Sequence, residues 1–146
     1  MDVSDLAVAT LRALLADEIE QYKRLLRQIS TDGDKRAYAI LIAAAFFRAA
    51  NKRSEEGATR SDMIEFVADV RSRSEQARDD IDPRTAERSI QAVVSDADIS
   101  DLDARDVRRH QVLLLAGFIA DERFSPAELD EFMAGARGLA DGTVSP

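Results

Sequence analysis

Eleven consecutive residues, Ala37-Tyr38-Ala39-Ile40-Leu41-Ile42-Ala43-Ala44-Ala45-Phe46-Phe47, contain no charged or strongly polar side chain. The run is too short to span a bilayer, which takes about 20 residues. It is also too long for one ordinary strand, and it alternates nowhere. A helix apolar on every side is stable in water only when neighbours surround it. The segment 35–52 is therefore expected to be the buried central helix of an all-α fold, its alanines allowing close approach and Ile40, Leu41, Phe46 and Phe47 filling volume.

Other helices follow from periodicity and caps. Val8, Leu15, Tyr22 and Ile29 recur every seven residues with Leu11 and Leu25 between them, which predicts one long helix over 5–29. Leu14, Ile19 and Leu26 widen its stripe beyond a coiled-coil seam, and Glu18 falls on the inner side. A carboxylate there must find a cation or reach water. Thr59 or Ser61 caps a third helix with Met63, Ile64, Val67 and Val70 inward, running to about Ser74. Asp82-Pro83 opens a fourth, with Ala86, Ile90, Val93 and Val94 inward. After an acidic loop over 95–103, a fifth helix runs from about Ala104 to Asp121. Its apolar residues are Val107, Leu114 and Phe118, beside Leu113, Leu115 and Ile119. Ser125-Pro126-Ala127-Glu128 is a capping box that starts a sixth, burying Leu129, Phe132, Met133 and Ala136 and ending near Leu139. The expectation is a single all-helical domain over 1–146, of about six helices, with a short flexible tail at about 141–146.

Charge and composition narrow the function classes. Twenty Lys and Arg against 28 Asp and Glu give a net charge of −8, so nonspecific attraction to nucleic acid or an anionic membrane is not expected. The chain has no cysteine and one histidine. Thiol nucleophiles, disulfides and Cys/His zinc or iron–sulfur sites are excluded. No glycine-rich phosphate loop is present, and no Ser or Cys motif places a nucleophile beside His110. The reading is a protein without catalytic function, cofactor or metal. The acidic start Met1-Asp2-Val3-Ser4-Asp5 lacks the features of a secretory signal, which gives a cytoplasmic expectation.

Two clusters stand out as candidate surfaces. Residues 34–60 hold six cations to three anions, and Arg48, Lys52, Arg53 and Arg60 form the basic cluster within them. Such a cluster offers a surface to an acidic partner, or complements the negative end of its own helix. Arg84, Thr85, Arg88 and Gln91 lie in the first turns of the fourth helix, as base- and phosphate-reading side chains do at the head of a recognition helix. Against that, the gap over 75–82 is too long for a helix-turn-helix, and Asp79, Asp80, Asp82 and Glu87 repel phosphate. Asp96, Asp98 and Ser100 have the spacing of a calcium-loop opening, but Asp101 stands where glycine is needed and Val107 where a bidentate Glu is needed. The function expected is a helical protein-interaction or regulatory module, binding a protein partner and self-associating through its first helix. The alternative is a DNA-binding transcription regulator using the third and fourth helices.

Overall fold

A computed structural model describes the backbone of residues 3–144 and the side chains of residues 3–142. The described residues form helices and connections, with no strand. Among the described residues there are eight helices rather than six: α1 (Asp5–Leu15), α2 (Ile19–Leu26), α3 (Asp32–Glu55), α4 (Arg60–Ser72), α5 (Glu75–Asp80), α6 (Pro83–Val94), α7 (Ala104–Glu122) and α8 (Pro126–Val144). None is long and apolar enough to cross a membrane. The chain divides into two compact units, one of Met1–Ala45 with Ile119–Pro146 and one of Phe46–Phe118, so the divisions fall inside α3 and α7.

In the first unit, the Ser4 hydroxyl accepts the Ala7 N–H and starts α1. The helix expected to run unbroken to Ile29 stops at Leu15. Asp17 takes φ 61°, its N–H donates to the Leu14 carbonyl, and the Glu18 N–H reaches back to Ala13 at 2.9 Å. That is a Schellman ending with aspartate in the left-handed position that glycine usually fills. The heptad pattern passes through this break without marking it. α1 packs on α2 and α8. Its Ala7, Leu11 and Ala13 are buried, as are Leu129, Phe132, Met133 and Ala136 on the expected face of α8. Arg12 pairs with Asp130, and Arg137 with Asp5, across the same packing. α8 runs on through Val144, and the Val3 N–H donates to Asp141 at 2.7 Å. Residues 141–144 of the expected flexible tail are thus helical, and Ser145 and Pro146 lie outside the described residues.

In the second unit, Thr59 and Asp62 form a reciprocal capping box at the start of α4, and Asp82 caps α6 ahead of Pro83. The gap expected between these two helices contains α5, capped by Ser74. Helix α4 packs on both α5 and α6. Its inward residues are Met63, Phe66, Val67 and Val70, while Ile64 faces water. The correction follows from helix geometry, since 63, 66, 67 and 70 share one face and 64 lies a third of a turn away. Phe66 stacks on Phe118 with centroids 4.0 Å apart, and Phe46 tilts against Phe118 at 6.3 Å. Gly117 admits this closeness, because a Cβ there would sit 2.8 Å from Val70 Cγ2.

Helix α3 buries Leu41, Ile42, Ala45, Phe46 and Ala50, as its apolar run requires. It is not enclosed on every side, however: Ala43 and Phe47 are exposed, Phe47 by 44%. A helix rich in alanine tolerates one open edge, because a water-facing alanine leaves little apolar surface uncovered.

Candidate interaction surface

Helix α2 is strongly amphipathic, yet none of its eight described residues is buried. Its angular order puts Tyr22, Leu26 and Ile19 on one face, with Leu25 turned toward the α1 side. Ile19 and Leu26 are 38% and 37% exposed, and Tyr22 is half-buried. A groove of about 320 Å³ runs beside it, lined by Ala9, Arg12, Ala13, Glu18, Gln21 and Leu25. The break at Asp17 creates this arrangement by redirecting α2, so that residues lying on a common seam in sequence do not all reach the interior. Leu11 and Ile29 are buried, whereas Leu15, Tyr22 and Leu25 are half-covered. Glu18, on the inner side of the sequence seam, stands exposed at the break with its carboxylate 3.9 Å from Arg12. Beneath α2's residues lies one unusual polar group. The Tyr38 hydroxyl is buried without a hydrogen-bond partner among the described residues, and burial, with the nearby Tyr22 phenol adding to it, holds its ionisation well above the usual phenol value.

Arg48, Lys52 and Arg53 of the basic cluster have partners within the chain. Lys52 reaches Glu56 at 3.4 Å, and the Arg53 guanidinium lies 5.7 and 5.6 Å from the Phe66 and Phe118 ring centroids. Arg48 is half-buried, and Arg60 is exposed at the first position of α4.

The head of α6 is likewise engaged. Thr85 is buried, and its N–H and hydroxyl both donate to the Asp82 carboxylate, at 2.8 and 2.9 Å. Those two bonds hold the Asp82 carboxyl below its ordinary range. Arg88 forks onto Asp101 at 2.8 and 2.6 Å and donates to the Asp98 carbonyl. Gln91 accepts the Ser95 hydroxyl through its backbone carbonyl and its side-chain oxygen. Arg84 alone of the four is exposed. In the acidic loop, Asp98 accepts the Ser100 N–H, and no group of three or more metal-ligating side chains is assembled among the described residues.

His110 is 1% exposed and uses both ring nitrogens. Nε2 accepts the Asp82 N–H at 3.0 Å, which requires that nitrogen to be unprotonated, and Nδ1–H donates to the Asp106 carbonyl at 2.8 Å. The ring thus ties α7 to the cap of α6. One of its two bonds comes from a backbone group 28 residues away, for which a sequence carries no periodic signal.

No family model matches the chain, and comparison with curated proteins and with solved structures finds no match.

Proposed function

We propose that this chain is a non-enzymatic helical interaction or regulatory module that docks a protein partner on the outer face of α2. The observation that carries the reading is an amphipathic helix with no buried residue. An eight-residue helix is marginal in water unless its apolar face is covered. Ile19 and Leu26 provide that face, with charged residues around it, in the pattern of an apolar centre and polar rim. Support for the DNA-reading alternative is thinner, since Thr85, Arg88 and Gln91 spend their polar groups on Asp82, Asp101 and Ser95.

The test is site-specific photo-crosslinking in cells of the native host. A photo-reactive residue in place of Leu26 is expected to give discrete protein adducts, and one in place of Arg84 is expected to give none. Ile19→Glu should abolish capture while the helical circular dichroism stays unchanged. Adducts at position 84 without any at 26 would overturn the reading.

A further inference from the structure

We infer that His110 is a proton-operated latch, which holds the start of α6 against α7 and releases it when the ring takes up a second proton. The carbonyl of Ile81 and the N–H of Asp82 belong to one peptide unit at the cap of α6, and that unit is gripped from both sides. Arg71 of α4 donates to the carbonyl at 2.8 Å, and His110 Nε2 of α7 accepts the N–H at 3.0 Å. The two grips differ in chemistry. A guanidinium keeps its charge at any pH a folded protein meets, whereas an imidazole nitrogen accepts a hydrogen bond only while it carries no proton. A second proton on the ring sets Nε2–H against the Asp82 N–H, donor to donor, and the two must part.

The other side of the ring makes this a release rather than a collapse. Nδ1–H already donates to the Asp106 carbonyl at 2.8 Å, and the Asp106 carboxylate lies 3.6 Å from the same nitrogen. Both acceptors stand on α7 one turn before the ring, so a charged ring keeps its bond and gains a counter-charge on its own helix. Arg109 holds that carboxylate at 2.8 Å. A groove of about 310 Å³ runs beside the ring, lined by Arg71 from α4 and by Arg78, Asp79, Asp80 and Asp82 from α5 and the turn into α6. Arg71 spends its N–H groups on the Ile81 and Arg78 carbonyls. The Asp82 carboxyl, held below its ordinary range by Thr85, stays ionised in mild acid. His110 is the chain's one histidine, the side-chain type that changes charge between about pH 5 and 8. Opening the latch frees the cap residue and with it the first turn of α6, which carries the exposed Arg84.

The test is nitrogen-15 NMR of the full chain from about pH 8 to about pH 5. At the upper end, a through-bond coupling between the Asp82 amide nitrogen and His110 Nε2 is expected, with ring shifts of the Nδ1–H tautomer. As the ring shifts report the second proton, the coupling should vanish and the protection of the Asp82 amide from hydrogen exchange should fall at least about tenfold, while amides in the middle of α7 keep theirs. In His110→Gln a side-chain carbonyl can accept the same N–H but takes up no proton, so the Asp82 protection should not change over this range. The carboxylates of the groove are common to both proteins, and the comparison therefore isolates the ring. No coupling at the upper end, a coupling that survives the second proton, a ring that stays singly protonated until the chain unfolds, or protection that falls as far in His110→Gln would each overturn the inference. The coupling is read in the wild type, so it decides the matter even if the variant does not fold.

Discussion

Arg88 presents two N–H groups to the Asp101 carboxylate, and this fork holds Asp101 down at about 2. A carboxyl depressed in the folded state contributes stability above its unfolded value of 3.8, and the contribution is lost as pH falls toward 2. In Arg88→Ala the Asp101 titration should move up toward 3.8, read from the side-chain carboxyl carbon by NMR, and the acid limb of the stability curve should flatten. A titration that does not move would mean the fork is absent in solution. His110 makes a second prediction at this scale. His110→Leu keeps the apolar volume but strands the buried-side Asp82 N–H, and should cost about 1–3 kcal/mol in urea unfolding. Neither pairing was legible in the sequence. Arg88 stands 13 residues from Asp101, and His110 stands 28 from Asp82, so the fold and not the local spacing brings them together.

At the scale of elements, caps and turns were the readable part. Thr59, Asp82 with Pro83, Ser125 with Glu128, and Gly57 at φ 101° mark helix ends in the sequence and do so in the structure. The helix ending at Leu15 was not readable, because aspartate occupies its left-handed position and the seven-residue spacing continues across it. Asp17→Gly removes the cost of a side chain at φ 61° and should stabilise the protein by about 0.5–1 kcal/mol in thermal unfolding. A loss of stability would show that Asp17 is held there by side-chain interactions worth more than the strain. The break also explains why the apolar residues of α2 were expected inside. Periodicity tells which residues share a face only while the helix stays continuous. Once the chain turns at Asp17, Leu11 and Ile29 go to the interior, and Ile19 and Leu26 are left partly exposed.

For the whole molecule, the net charge of −8 and the internal pairing of Arg88 lead to a further expectation. Fluorescence anisotropy of labelled duplex DNA should stay flat when the protein is added at low salt, where phosphate attraction is strongest. Salt-sensitive binding lost in Arg84→Ala would instead favour the DNA reading. The amino-acid sequence by itself determined an all-helical chain, most helix starts, the inward face of α8 and, on α6, the burial of Ala86 and Ile90, though Thr85 and Ser89 are buried where Val93 and Val94 were expected. These depend on interactions within a few residues: caps, proline at a first turn, and apolar spacing near 3.6. Only the tertiary structure decided that the first helix is two, that α5 fills the gap before α6, that His110 joins α7 to the cap of α6, and that the apolar side of α2 is only partly covered. Those outcomes depend on distant segments competing for the same surface, and burial is a property of the assembled chain rather than of any stretch within it.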